Sequence, residues 1–352
     1  MFITGLGTAT PPRRHQQREC WEALQAAEPF ARLSNRSKAI LKKVLLGDNG
    51  IATRHLALEP LSEAFDLAPD ALHARFAKHA PALAAEAAAD ALKAATLEPE
   101  AIDAVIISTC TGYLCPGLTS YVSERIGLRA DALALDLVGQ GCGAALPNWR
   151  TAQALLSGDQ CEKVLSICVE VCSAAFFLDN DPGVLISACL FGDGAGAAIL
   201  SGAAPSNQRR IEWKAARSIL SPEHRDYLRF EQRNGMLRNI LARQVPSLAS
   251  KHAARVLVET LAQSGVKRDQ ITAWILHAGG RDVLLAMQER LGLTEPDLRW
   301  SAAVLREFGN VSSPLVLFVL KAALAAHAPG GLWWMSSFGA GFSCHGALLE
   351  VE

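Results

Sequence analysis

Leu135-Asp136-Leu137-Val138-Gly139-Gln140-Gly141-Cys142-Gly143-Ala144-Ala145 is the stretch on which the fold turns. The apolar run reads as a buried strand. It ends in a glycine-flanked turn that carries one thiol, and beyond Pro147 the sequence has helical character. Strands that turn directly into helices build layered α/β sheets. Glycine lets the backbone turn sharply and lets another molecule come close. The exposed N–H groups and dipole of a helix N-terminus stabilise a thiolate. Cys142 is therefore either a nucleophile or a small buried hydrophobe, the usual state of a free cysteine. Proline is tolerated in a first helical turn but breaks a hydrogen bond further in. The helix is thus expected to start near Gly143 or Ala144, or to bend at Pro147.

The same grammar extends outward in both directions. Residues 31–56 are basic and helix-like, with Lys38, Lys42 and Lys43, and turn at Gly47-Asp48-Asn49-Gly50. Residues 81–96 are alanine-rich, with Pro81 at a plausible first helical position. Strands are expected at 104–109, 133–138 and 164–169, and helices at 118–127, from Cys142 to about Leu156, and at 247–264. Ile271-Thr272-Ala273-Trp274-Ile275-Leu276-His277 matches Ile102-Asp103-Ala104-Val105-Ile106-Ile107-Ser108 in position and character. Phe338-Gly339-Ala340-Gly341 before an apolar strand echoes Phe191-Gly192-Asp193-Gly194. Landmarks repeated in the same order imply an internal duplication in an α/β architecture with buried sheets. The best boundary lies in 201–210, giving halves 1–205 and 206–352.

Composition narrows the function. A chain of 352 residues, 50% hydrophobic with net charge −1, can bury a large core and does not read as a nucleic-acid binder. The start lacks a signal peptide's basic region and cleavage site. No uncharged apolar run reaches the ~18 residues of a membrane span. Nine scattered cysteines without a CxxC pair suggest a reducing cytoplasm and no structural zinc.

A cysteine nucleophile needs a base or a positive field. His15, His55, His73, His79, His224, His252 and His327 lie in polar or helix-like contexts and are expected at the surface. His277 differs: it ends an apolar strand before Ala278-Gly279-Gly280, well placed to face a crevice. A satisfied core histidine is the alternative. Asn310, in Phe308-Gly309-Asn310-Val311-Ser312-Ser313-Pro314, is either a third functional group or a turn and capping residue.

Gly141-Cys142, Phe191-Gly192-Asp193-Gly194-Ala195, Trp274-Ile275-Leu276-His277-Ala278-Gly279-Gly280, Gly309-Asn310-Val311-Ser312-Ser313 and Phe338-Gly339-Ala340-Gly341 occur in the order seen in type III polyketide synthases. From about residue 3 to the C-terminus the chain resembles this chalcone synthase-like family, in its bacterial branch. The resemblance implies a thiolase-like fold of two duplicated halves layered αβαβα, and a homodimer. It implies Cys142, His277 and Asn310 as a triad. Cys142 would take the starter acyl group and His277 would help hold it as thiolate. His277 and Asn310 would hold the malonyl-CoA thioester carbonyl during decarboxylation. The product would be a pyrone or resorcinol, alkyl-substituted if the starter is a fatty acyl group. No metal or redox cofactor is implied, since the CoA thioesters are substrates.

The resemblance also places Phe176, Cys110, Thr111, Phe338 and Gly339 at the substrate cavity, and Cys115 across the dimer in the partner's cavity. A second gating position falls at Arg238 or Asn239. Lys42, Gly279 and Gly280 match CoA-binding positions, but Leu45 and Asn49 replace two further basic residues, which leaves room for delivery by an acyl carrier protein. Two alternatives remain. A single-step β-ketoacyl-ACP synthase III-like enzyme shares the triad, but the Gly279-Gly280 turn and the Gly309–Ser313 motif favour the polyketide synthases. An intact triad argues against a non-catalytic acyl-binding protein.

Overall fold

The computed structural model describes residues 1–158, 161–205 and 208–352. In chain order the strands are β1 Phe2–Ala9, β2 Arg14–Gln16, β3 Thr53–His55, β4 Ala104–Thr109, β5 Leu133–Val138, β6 Lys163–Glu170 and β7 Gly194–Ser201. They continue with β8 Ile211–Leu220, β9 Leu228–Arg233, β10 Met236–Leu241, β11 Ile271–Leu276, β12 Gly331–Gly339 and β13 Ser343–Val351. The helices are α1 Gln17–Ala26, α2 Glu28–Ala31, α3 Asn35–Leu46, α4 Pro69–Ala95, α5 Leu118–Ile126 and α6 Ala145–Leu156. They continue with α7 Pro182–Leu190, α8 Val245–Ser264, α9 Arg281–Leu291, α10 Glu295–Phe308 and α11 Leu315–Ala325.

Nine strands form one continuous sheet with a narrow join between its two parts. The first half contributes β5-β4-β6-β7-β1 and the second β8-β13-β12-β11, and only Phe2 opposite Glu212 pairs β1 with β8. Helices α6 and α11 touch strands of both halves and form the middle layer. Leu315-Val316-Leu317-Phe318-Val319-Leu320 is buried on every side, as an all-round apolar helix must be. Helices α4 and α5 cover the outer face of the first part and α8 that of the second, with α9 against α8. This is the expected αβαβα order. The expected boundary between halves includes Ser206 and Asn207, which lie outside the described residues.

Three expectations need correction. Pro81 does not start a helix: α4 begins at Pro69 and runs through it. Close packing accounts for this. Ala80, Ala84, Ala87, Ala88 and Ala91 are fully buried, and α4 lies so near β1 that a Cβ on Gly7 would sit 2.1 Å from the Ala87 carbonyl oxygen. That contact outweighs one lost hydrogen bond. The 133–138 strand is not buried: β5 ends its sheet, paired with β4 alone, and Val138 is 63% exposed. His15 and His252 are buried rather than at the surface. Helix α6 starts at Ala145 and holds Pro147 in its first turn, as the expected start near Ala144 requires.

A third apolar cluster stands apart from the two main cores. Cys20, Leu24, Leu41 and Leu45 of α1 and α3 pack with Leu56, Leu58, Ala64 and with Leu185 and Cys189 of α7. It caps one end of the cavity described next.

Candidate active site

Cys142 lies in a 3-10 turn, Gly141–Gly143, that feeds α6. Gly141 has φ +56°, a left-handed conformation suited to glycine. The second half presses on this turn from behind. A Cβ on Gly339 would lie 2.4 Å from the Gln140 oxygen and 2.5 Å from the Gly143 nitrogen. Ser337 Oγ donates to the Gly143 carbonyl at 3.1 Å. The paired glycines thus let the end of β12 seat the thiol.

His277 follows β11, and its backbone N–H donates to the Ser336 oxygen at 2.9 Å. Its ring meets Phe338 edge-on at 5.1 Å, and both ring nitrogens are buried without a hydrogen-bonding partner. Asn310 is fixed at both ends: its N–H donates to the Leu190 oxygen at 2.9 Å and its Nδ2 to the Gly279 oxygen at 3.1 Å. Its Oδ1 accepts from Ser312 N at 2.9 Å. Ser312 Oγ in turn lies 3.2 Å from Cys142 Sγ. Ser312, Gly279 and Phe338 thus link the thiol of Cys142 to the amide of Asn310 and the imidazole of His277, although neither His277 nor Asn310 lines the cavity that Cys142 faces.

Glu170, at the end of β6, is the polar hub that the sequence analysis missed. Fully buried, it accepts from Cys110 N at 3.0 Å, Thr111 Oγ1 at 2.9 Å and Ser313 Oγ at 2.6 Å, and lies 3.5 Å from Ser312 Oγ. The one available signal was a carboxylate inside Val164–Val171, a stretch whose other residues are uncharged and, Ser166 apart, apolar, because buried charges need dedicated partners.

Burial dominates the electrostatics. It pushes the Cys142 thiol up to about 12, against the Ser312 hydrogen bond and with the Glu170 carboxylate raising it further. It holds the His277 imidazole down to about 3. Glu170 is raised by the same cause, opposed by its donors. Burial thus disfavours both the thiolate and the imidazolium, because a dry site disfavours every isolated charge. A neutral imidazole can still accept the thiol proton during attack, or donate its own N–H.

A cavity of about 500 Å³ opens from Cys142, within the usual range of ligand pockets. Cys110, Thr111, Phe176, Asn239 and Ser312 line it, as does Phe191, which sequence reasoning did not assign to the cavity. Arg238 does not. It points off the other side of β10, where it donates to Asp179 at 2.8 Å and Glu231 at 3.0 Å, since neighbouring residues of a strand face opposite ways. Phe338 and Gly339 stand behind the wall, supporting His277 and the Cys142 turn. Cys115 is exposed and outside this cavity. Lys42 faces solvent, while Leu41 and Leu45 of the same helix line the cavity. Gly279 serves Asn310 as an acceptor, and Gly280 precedes α9 near Leu190.

Comparison with known proteins agrees with this architecture. Residues 10–234 match the family model for FAE1/type III polyketide synthase-like proteins, and residues 213–349 the chalcone and stilbene synthase C-terminal domain. The chain is 30% identical to 1,3,6,8-tetrahydroxynaphthalene synthase of Streptomyces peucetius subsp. caesius, across 99% of this chain and 92% of that protein. It is 29% identical to 3,5-dihydroxyphenylacetyl-CoA synthase of Streptomyces toyocaensis, across 99% and 89%. PKS-I of the brown alga Ectocarpus siliculosus superposes with a TM-score of 0.89 at 26% identity, covering 99% of this chain and 97% of that one. The fold is thus that of a thiolase-like condensing enzyme. The chain belongs to the type III polyketide synthase family and is an acyltransferase that forms carbon–carbon bonds. Among the described residues no helix is long and apolar enough to cross a membrane.

Proposed function

We propose that Cys142, His277 and Asn310 carry out iterative decarboxylative condensation of malonyl-CoA onto an acyl starter. The supporting observation is a chain of contacts between them: Ser312 touches both Cys142 and Asn310, and Gly279, which accepts from Asn310, lies beside the His277 ring. In loading, the Cys142 sulfur attacks the starter thioester, its proton passes to His277, and CoA leaves as the thiol once that proton is returned. In extension, the malonyl thioester carbonyl sits against the His277 N–H and the second amide hydrogen of Asn310. Loss of CO2 leaves an enolate whose negative oxygen those two donors stabilise. The enolate carbon attacks the acyl-Cys142 carbonyl, the Cys142 carbon–sulfur bond breaks, and the expelled thiolate takes a proton from solvent. Repetition and ring closure give a pyrone or resorcinol. No step changes an oxidation state, so no redox cofactor enters, and the two donors do the work a metal would otherwise do.

The neutral state of His277 suits the second role, because a neutral imidazole polarises a carbonyl without carrying charge into a dry site. CoA thioesters are the small-molecule partners, with an acyl carrier protein as a second means of delivery. The exposed β5 edge, with Tyr113 70% exposed, supports a homodimer in which Cys115 approaches the partner's cavity. All nine cysteines are unpaired, which supports a cytoplasmic location.

The test is mass spectrometry of protein and products after incubation with acyl-CoA starters and malonyl-CoA. A covalent acyl group on Cys142 and cyclised products are expected. Unchanged product from Cys142→Ala would overturn the assignment, and a product halted after one extension would make the enzyme a single-step condensing enzyme.

A further inference from the structure

We propose that Arg238 is a positioning residue that governs how many malonyl units the enzyme adds, by holding two separately built walls of the cavity at one spacing from outside. This rests on the iterative condensation above and concerns where that reaction stops.

The first wall is the hairpin of β9 and β10. These strands pair only with each other, outside the nine-stranded sheet. A two-stranded ribbon is marginally stable alone and takes its place from what it packs against. Phe230 and Gln232 of β9 and Leu237 and Asn239 of β10 line the cavity. Arg238 and Glu231, opposite each other in register, take the other face. The second wall is the segment leading into α7. Phe176 and Phe177 line the cavity, and Asp181 caps α7 by accepting from Gly183 N at 2.8 Å and Val184 N at 3.2 Å. The same segment is anchored to α3, because Asn180 Oδ1 accepts from Ser34 N at 2.9 Å and Ser37 Oγ at 2.7 Å.

Arg238 spans the seam between them. Its Nε donates to Asp179 Oδ2 at 2.8 Å on the segment, and its Nη1 to Glu231 Oε1 at 3.0 Å on the hairpin. Asp181 Oδ2 lies 3.7 Å from Nη2, and the guanidinium sits 6.0 Å from the centre of the Phe177 ring. The Arg238 side chain is only 9% exposed. Other polar contacts on the seam are looser. Arg233 lies 3.8 Å from Asp179 and is 56% exposed, and Ser187 Oγ reaches Asn239 Oδ1 at 3.3 Å. A buried ion pair is a costly way to join two surfaces, and packed apolar residues stabilise as well. What the rigid guanidinium fork adds is fixed geometry. Each extension adds two carbons to a chain held in the cavity, so the spacing of its walls decides when growth gives way to ring closure.

The test compares the wild-type protein with Arg238→Gln, Arg238→Lys and Asp179→Asn, using acetyl-, butyryl- and hexanoyl-CoA with 13C-labelled malonyl-CoA. Intact-protein mass spectrometry reads loading on Cys142, labelled acetyl-CoA reads decarboxylation, and product mass counts the malonyl units. Arg238→Gln should leave loading and decarboxylation within about twofold of wild type. It should change the ratio of products that differ by one extension by about fivefold or more, the scale of one charge-assisted bond. Arg238→Lys keeps the charge without the fork and should give an intermediate ratio. Asp179→Asn should shift the ratio in the same direction. The double variant should go no further than the larger single change, because both break one link.

Unchanged product ratios in Arg238→Gln and Asp179→Asn would overturn the proposal. If Arg238→Gln fails to fold, unchanged ratios in Arg238→Lys and Asp179→Asn would do so. A fall in loading, decarboxylation and product in equal measure would mean that Arg238 serves the fold alone. Multiplying effects in the double variant would mean that the two residues act separately, and either result also sinks the clamp. Absence of acyl-Cys142 in the wild-type protein with all three starters would instead overturn the condensation reading itself.

Discussion

The cavity has two ends, and they are built by different forces. Around Cys142 the wall is held by directional bonds: Glu170 gathers Cys110, Thr111 and Ser313, while Asn310 joins Gly279 to Ser312. Beneath α1 and α3 the wall is held by contact alone, among Leu24, Leu41, Leu45 and Leu58. A hydrogen-bonded wall fixes atoms to tenths of an ångström and fails when one partner is lost. An apolar wall fixes only volume, and it can repack. Reaction chemistry needs the first kind, and the second suffices where only space has to be kept.

Substitutions at the two ends should therefore fail differently. The largest effect is expected from Cys142→Ala, which should abolish acyl loading and product together. Asn310→Ala removes one donor to the developing enolate and should slow malonyl-CoA decarboxylation by about 10²–10³-fold, read as acetyl-CoA formation. A comparable loss of decarboxylation from Leu45→Ala would break the comparison, because contact alone would then be controlling the chemistry. Next in size are losses of stability. Glu170→Gln turns an amide N–H toward groups that themselves donate and should cost about 1–3 kcal/mol. Leu41→Ala empties a packed site and should cost about 2–5 kcal/mol. Both are measured by denaturant unfolding. The polar variant should also disturb the Cys142 surroundings, seen as changed thiol reactivity, while the apolar one should not.

The same contrast decides what could be read from the sequence. The polar end was legible because glycines and rare polar residues stand out. Gly141 and Gly309 hold left-handed backbone, and Gly279 leaves room for the Phe338 ring, and such demands restrict residue choice. Glu170 escaped because a single carboxylate in a strand has no spacing to match. The apolar end was illegible. Leu24, Leu41, Leu58 and Cys189 look like any core residues, and only tertiary structure shows that they surround a space. Arg238 and Asn239 show the limit most sharply. A one-residue choice on a strand decides which face a side chain takes, and only Asn239 reaches the cavity. The exposure of β5 was hidden for a related reason, since an apolar run reads alike whether a neighbouring layer or water covers it.

Acid should sharpen the comparison through the buried imidazoles. Burial holds His277 down to about 3 and His345, beside Arg150, down to about 4. In the unfolded chain both titrate near 6.5. Between those values the unfolded chain binds more protons, so the stability these groups allow is complete above about pH 6.5 and falls as pH drops. Each should contribute a slope of up to about 1.4 kcal/mol per pH unit. Glu170 and Asp193, raised by burial, act with the opposite sign. The wild-type slope from pH 6.5 to 4 is thus a net value, and His277→Gln should flatten it measurably in thermal unfolding. An unchanged slope would mean that His277 is hydrated or paired rather than dry.

The smallest effect is expected at Lys42. The resemblance to known synthases suggests that it meets CoA phosphate, yet it stands on the solvent face of α3 while Leu41 and Leu45 face the cavity. An exposed cation contributes about 0–1 kcal/mol to a charge pair, less as salt rises. Lys42→Ala should therefore raise KM for acyl-CoA by at most about fivefold, with kcat unchanged and the difference vanishing in high salt. A loss of tenfold or more that persists in salt would place the nucleotide firmly against α3. The helix would then serve a charged group on one face and an apolar wall on the other, and the division between a bonded end and a contact end would have to be redrawn along α3 itself.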